Sequence, residues 1–126
     1  MHPPPPLAPP PRDTKRHLLA GLRGATGAAR ARVLLQLAVE ERVDDGAIAS
    51  WLAEAEALLG ADHPHLLATR GTIALRRDDD DATRRYAEQA IRAAEPVGAD
   101  EVLARCWLLL AQVAIRKQDL PTVRRA

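Results

Sequence analysis

Two histidines and a run of four aspartates are the side chains of this sequence with the most evident chemistry. His63 and His65 flank Pro64. A zinc site needs three or four ligands at suitable spacing, and no third ligand accompanies this pair, so we expect the histidines to cap a helix or to face solvent. The run Asp78–Asp81 lacks the central glycine of a calcium loop, and Gln89 stands where that loop needs a glutamate. We therefore predict a solvated loop between helices there.

The sequence contains no motif for nucleophilic or phosphate chemistry. Ser50 is the only serine, and it is not part of a Gly-x-Ser-x-Gly motif. The glycines before residue 30 are not followed by the Gly-Lys-Ser/Thr of a phosphate-binding loop. Cys106 lies beside Trp107 in an apolar segment, where we expect a small core residue rather than a reactive thiol. We predict that the chain is not an enzyme and binds no cofactor and no metal.

The composition is typical of a small all-helical protein. Apolar residues make up 47% of the 126 residues, whereas aromatic residues make up only 2% and phenylalanine is absent. Alanine and leucine therefore fill the core, which suits closely packed helices better than sheets. The 18 basic and 17 acidic residues nearly cancel, so the basic excess of a nucleic-acid-binding protein is missing.

Several features of the sequence bear on the cellular compartment. The single cysteine excludes an internal disulfide. The first residues lack the cationic start and the apolar stretch of a signal peptide. The longest apolar run, residues 106–111, is far shorter than the about 20 residues that span a bilayer. We predict a cytoplasmic protein with no membrane contact.

The chain divides into a proline-rich arm and a helical domain. Residues 1–13 hold seven of the ten prolines, which predicts a disordered, polyproline-II-like arm. Residues 14–126 form the predicted helical domain. Apolar positions at helical spacing, bounded by capping residues, glycine or proline, predict helices over 14–23, 28–42, 47–59, 66–77, 81–94 and 101–117.

The end of the sequence resembles the start of another helix. Asp119–Pro121 has the residue types of a helix N-terminus, but only about two turns of chain follow. We therefore expect the last unit to be truncated, with apolar side chains left uncovered. These side chains are Leu108, Leu109, Val113 and Leu120. The isolated chain is predicted to self-associate or to fray from Glu101 onward.

Small and apolar residues recur along the predicted helices. Leu35, Gly71 and Ala111 stand at matching places, separated by roughly 36–40 positions, which is a period typical of stacked helical hairpins. Each hairpin of such an array buries its apolar face against its neighbours. The pattern predicts an all-α stack of antiparallel helix pairs with about three units, and a closed four-helix bundle is the structural alternative.

The repeated positions resemble the tetratricopeptide repeat (TPR). In the third unit the matching residues are Trp107, Leu110, Ala111 and Ala114, and in the second they are Leu67, Gly71, Ala74, Ala87, Ala90 and Pro96. The resemblance implies a right-handed TPR-like α-solenoid, in which the first helix of each pair lines a concave peptide-binding groove. The family's contact positions then fall on Arg32, Gln36, His65, Thr72, Arg76, Arg105, Leu108, Gln112 and Arg116.

Two functions agree with this resemblance. The first is a non-catalytic scaffold that binds a peptide or protein segment in the groove. Arg76, Arg105 and Arg116 would suit acidic groups, because guanidinium pairs with carboxylate. The second is a regulatory segment of a bacterial signalling protein (a diguanylate cyclase, a kinase or a transcriptional regulator) whose output domain lies beyond residue 126.

Overall fold

A computed structural model describes the backbone of residues 11–125 and the side chains of residues 15–117. Between residues 11 and 125 the chain is all-helical, with six α-helices, one short 3-10 helix and no strand, which confirms the predicted all-α class. The elements are α1 (Pro11–Leu22), α2 (Gly27–Glu40), α3 (Asp45–Leu59), α4 (Pro64–Arg76), α5 (Asp80–Ala94), the 3-10 helix (Glu95–Val97) and α6 (Asp100–Arg125).

Short polar side chains begin three of the helices. The Asp44 carboxylate accepts a hydrogen bond from the Ala47 N–H at 2.9 Å, and Asp79 accepts one from the Ala82 N–H at 3.1 Å. His63 is the N-cap residue of α4, which has a proline in its first turn. These bonds satisfy backbone donors that have no partner within the helix. The aspartate run is thus only partly a loop: Asp79 is the N-cap of α5, and Asp80 and Asp81 lie in its first turn.

The two ends of the predicted domain differ from expectation. The backbone of residues 11–13, assigned to the arm, belongs to α1, because proline is compatible with the first turn of a helix. The rest of the arm, residues 1–10, lies outside the described residues. The predicted helix start at Asp119–Pro121 is wrong, since α6 continues to Arg125. Proline removes one helical hydrogen bond, but this loss does not by itself end a helix.

The helices pack in sequential pairs. Helices α2 and α3 form one antiparallel pair, α4 and α5 form the next, and α6 packs on both α4 and α5. Helix α1 packs on α2. Helices α2 and α6 each pack against α4, and between residues 11 and 125 they share no comparable interface with each other. The arrangement is that of a helical repeat, with the first helix of each pair next to its predecessor.

Three apolar clusters hold these pairs together. Leu34, Leu35, Ala55 and Leu66 are buried where the first pair meets α4, and a smaller cluster of Ala38, Ile48 and Ile73 joins the same three helices. The largest cluster joins α4, α5 and α6, and its buried residues are Leu67, Ala68, Ala87, Ala90, Ile91, Ala94, Val102, Cys106 and Leu109. The predicted core position of Cys106 is confirmed, and burial raises the pKa of its thiol. Small side chains make up much of this cluster, so the helices can approach closely.

Helix α6 buries two of the four side chains that we predicted to be uncovered. Leu109 and Val113 are buried against the preceding pair, at 5% and 4% exposure, so their predicted exposure is wrong. Apolar residues occur on nearly all sides of this helix, and the spacing alone did not identify the buried side. Leu108 is 59% exposed, as expected, and the side chain of Leu120 lies outside the described residues.

Two arginines, Arg76 and Arg116, connect α4 to the C-terminal end of α2 and α6 to the C-terminal end of α4. Arg76 in α4 donates to the main-chain carbonyls of Val39 and Ala38 in α2, the latter at 3.3 Å. Arg116 in α6 donates to the Leu75 carbonyl in α4 at 3.3 Å. The two contacts span 38 and 41 residues, so they recur with the repeat. Each supplies donors to main-chain carbonyls in the last turn of a helix, and the Leu75 carbonyl also accepts a hydrogen bond from the Asp78 N–H at 3.1 Å.

A buried carboxylate connects α1 to the end of α2. The Glu41 side chain is bonded to the Lys15 ammonium at 2.5 Å and accepts hydrogen bonds from the N–H groups of Asp44 and Val43 at 3.1 and 3.2 Å. The Lys15 contact and these two backbone donors lower the pKa of Glu41 from its ordinary 4.5 to about 2. This carboxylate therefore stabilises the fold only while it is ionised.

We expect Glu41→Gln to reduce the acid sensitivity of folding. Because the pKa of Glu41 in the folded state lies below its ordinary value, the contribution of this carboxylate to stability is complete above about pH 4.5. That contribution is lost as the pH falls toward about 2. Urea unfolding followed by circular dichroism from pH 5 to pH 2.5 should give a shallower decline in the variant, with Lys15→Met intermediate because the backbone donors remain. Equal declines in the variant and the parent chain would contradict this role.

Within the described residues, no helix is both long enough and apolar enough to cross a membrane.

Candidate functional site

Helices α2, α4 and α6 run in the same direction and line an open groove. Their shared direction follows from contacts in the same order along each helix. Arg32 lies near His65 and Arg76 is bonded to Ala38. Likewise, Arg105 lies near His65 and Arg116 is bonded to Leu75. The groove encloses about 500 Å³, a volume within the range of sites for small ligands and peptide side chains. Side chains from all three helices form its walls, so the site requires both helix pairs and α6 to be folded.

Seven of the nine predicted contact residues lie around this groove. They are Arg32, Gln36, His65, Thr72, Arg105, Leu108 and Gln112. The other two, Arg76 and Arg116, are not part of its lining. Arg76 is bonded to the end of α2, and Arg116 is bonded to Asp80 at 2.8 Å and Asp78 at 3.2 Å. Their guanidinium groups are therefore already occupied by partners within the fold.

Basic side chains gather at the end of the groove that lies near the N-termini of the helices. Arg32 and Arg105 flank His65 there, and we call these three residues the cationic end. Burial lowers the pKa of His65, the charges of His63, Arg32 and Arg105 lower it further, and Glu101 raises it. His65 is thus partly buried and lies in a positive potential. An anion bound beside it would reduce the repulsion between these positive charges.

Arg32 and Arg105 differ from the two C-terminal arginines in their partners. Among side chains of residues 15–117, neither one forms an ion pair within 4.0 Å. Arg32 is exposed and Arg105 is half-buried. The planar donors of both are thus free of a described carboxylate, and guanidinium binds carboxylates in a bidentate manner.

The remaining walls of the groove are apolar or weakly polar. The lining residues that we did not predict are Leu35, Val39, Thr69, Leu75, Glu101 and Leu109. Leu35 and Leu109 are nearly buried, so they form the floor. The Thr72 hydroxyl donates to the Ala68 carbonyl at 3.1 Å, which occupies its proton within the helix. A chain bound here would meet apolar contacts along most of its length and basic groups at one end.

Glu101 is the unpredicted residue with the greatest electrostatic effect. It lies in the first turn of α6 and raises the pKa of His65. Its position one helical turn before Arg105 could have revealed it, since residues four apart share a helix face. The carboxylate limits the excess positive charge at the cationic end, so this end attracts acidic groups without being uniformly basic.

Cys106 and the two histidines occupy defined positions relative to the groove. Cys106, the one nucleophilic thiol, is fully buried outside the lining, and burial raises its pKa. The rings of His63 and His65 stack with centroids 5.7 Å apart, and the Nδ1 atom of His63 accepts the His65 N–H at 3.2 Å. Over the described residues, no group of three His, Cys, Asp or Glu residues could hold a metal ion. The geometry is suited to holding a ligand by apolar contacts and charge.

In comparisons with known proteins, no family model, no curated protein and no solved structure matches this chain.

Proposed function

We propose that this chain is a non-catalytic, TPR-like interaction module that binds an extended peptide or protein segment in the groove of α2, α4 and α6. An acidic group of that segment would occupy the cationic end. The observation that carries the proposal is the convergence of Arg32, His65 and Arg105, from three different helices, at one end of a groove whose other walls combine leucine and valine side chains with polar ones. We further propose that the helix pairs form a right-handed solenoid of the TPR kind and that the module acts in the cytoplasm.

The chemistry of the groove favours a peptide over a small metabolite. Its walls are open rather than enclosing, and apolar side chains such as Leu35, Leu75 and Leu108 extend beyond the basic groups. Such a surface suits a chain that places one acidic group against the guanidinium donors and apolar side chains along the remainder. The acidic group fixes the register, whereas the apolar contacts supply most of the affinity.

We expect Arg105→Gln to weaken binding of acidic peptides about tenfold, which corresponds to about 1.4 kcal/mol. The substitution removes a partly desolvated donor to the ligand carboxylate. Short random peptides displayed on phage would be selected against the immobilised chain, then synthesised with a fluorophore and titrated by anisotropy. Arg92→Gln is the matched control, because it removes the same charge from the exposed side of α5.

Several results would separate this proposal from nonspecific attraction. Replacing the peptide's aspartate or glutamate by its amide should reproduce the loss caused by Arg105→Gln, and combining both changes should add little. Arg92→Gln should leave the affinity within about twofold of the parent chain. Recovery of peptides without acidic residues, or equal effects of the two arginine substitutions, would contradict the proposed role of the cationic end.

A further inference from the structure

Helix α6 has a second surface, which points away from the rest of the fold. Val102, Cys106, Leu109 and Val113 face the preceding helix pair and are buried. On the outer side, Trp107 is 59% exposed and Ile115 is 56% exposed, and Leu108 at the edge toward the groove is 59% exposed. Large apolar side chains grouped on one helix face in this way typically mark an interaction site.

The outer face is defined by helical spacing. Residues three and four apart share a side of a helix, which aligns Trp107 with Ala111, Ala114 and Ile115. Ala111 and Ala114 are also exposed. We call these four residues, together with Leu108, the α6 outer face. From Leu103 to Ile115 the one charged residue is Arg105, which belongs to the groove.

We propose that the α6 outer face binds the same face of a second copy of this chain, in an antiparallel helix pair with its twofold axis at Ala111. The α6 outer face adjoins the peptide groove, because Leu108 belongs to both surfaces. An uncharged face offers nothing to a charged partner, whereas two copies of it meet without repulsion between like charges. The second copy is thus a partner whose chemistry matches the face.

The side chains of the α6 outer face can also pair with the same face of a second copy that runs in the opposite direction. A twofold axis at Ala111 places Trp107 of one copy opposite Ile115 of the other, and Leu108 opposite Ala114. The small residue at the axis lets the two helices approach closely, and the large residues fill the space on both sides. The interface is isologous, so each contact occurs twice.

The size of the face predicts a weak, reversible dimer. A covered aromatic side chain contributes about 150–250 Å², so the half-exposed Trp107 and its apolar neighbours offer on the order of 400 Å² per copy. Two copies would bury on the order of 800 Å², below the roughly 1,200 Å² of stable specific interfaces. We therefore expect association in the micromolar range or weaker, visible only as the concentration rises.

Sedimentation velocity of the full chain over a wide dilution series tests the dimer. The parent chain should shift from monomer to dimer, and Trp107→Glu or Ile115→Lys should each weaken association at least tenfold. Val43→Glu is the matched control, because Val43 is 87% exposed in the loop after α2, and it should change nothing. Circular dichroism verifies that every variant remains helical.

The register has its own test. Combining Trp107→Glu with Ile115→Lys in one chain places opposite charges across the proposed axis twice, so association should be stronger than in either single variant. It should remain weaker than in the parent, because an exposed ion pair contributes little stability. In a Trp51→Phe background, Trp107 is the sole tryptophan, and its emission should shift to the blue with concentration. A parent chain that stays monomeric, single variants without effect, or a double variant that associates no more strongly than the single variants would overturn the proposal.

Discussion

Gly71→Leu is expected to destabilise the fold by about 3 kcal/mol, the upper end of the usual effect of overfilling a core. A Cβ atom at Gly71 would lie 3.2 Å from Leu109 Cδ1, 3.5 Å from Tyr86 Cβ and 3.8 Å from the Ala87 nitrogen. A leucine adds three further carbons at the point where α4 meets α5 and α6. Urea unfolding monitored by circular dichroism measures the loss of stability.

Two further substitutions separate crowding from helix propensity. Gly71→Ala should change stability by less than about 1 kcal/mol, because the gain in helix propensity offsets a small shift of the flexible end of Leu109. Gly21→Leu is the matched control, since Gly21 is an exposed helical glycine with nothing within 4 Å of an added Cβ. It should be neutral or stabilising, and a loss equal to that at Gly71 would show that packing is not the cause.

Leu66→Ala is expected to lower the free energy of unfolding by about 3 kcal/mol, within the usual range for a leucine truncated in a core. Leu66 is fully buried in α4 and packs in the cluster with Leu34, Leu35 and Ala55. Its removal leaves a cavity where the first helix pair meets the second. For a domain whose total stability is about 5–15 kcal/mol, this is a large fraction.

The same cluster provides a specific probe of this change. Trp51 packs against it, whereas Trp107 is exposed, so loss of packing should alter the fluorescence of Trp51. Leu58→Ala is the control, because Leu58 is 42% exposed in α3 and should cost about 1 kcal/mol or less. Leu66→Met, which nearly conserves volume, should retain most of the stability. Similar losses for Leu66→Ala and Leu58→Ala would contradict the assignment of this cluster as the joint between pairs.

Much of the helical architecture could be predicted from the sequence, because the signals for it are local. Apolar spacing located every helix from α1 to α6, although α5 begins at Asp80, one residue before its predicted start. The face that α6 buries could not be predicted in this way. Apolar residues surround that helix, so spacing alone does not distinguish the side with Leu109 from the side with Trp107.

The candidate groove could be predicted only in part, because its geometry depends on contacts between residues far apart in the sequence. Positions implied by the repeat placed Arg32, His65 and Arg105 on the first helices, and the structure brings them to one cavity. The repeat positions also included Arg76 and Arg116, which are bonded instead to the ends of α2 and α4. Contacts between residues 38 or 41 positions apart depend on how the helices are stacked, and one side chain's spacing within its own helix does not contain that information.

The arginine contacts at one edge of the groove have a mechanical consequence. Arg76 and Arg116 hold the C-terminal ends of α2 and α4 by directional hydrogen bonds, beside the apolar contact of Ala38 with Ile73. Apolar packing around Leu66, in contrast, joins α2 to α4 nearer the N-terminus of α4. Apolar contacts tolerate small sliding movements more readily than hydrogen bonds do. We therefore expect the distance between α2 and α4 to vary more near Arg32 and His65 than at the arginine contacts. The groove would then adjust its width most where the charged group of a ligand would sit.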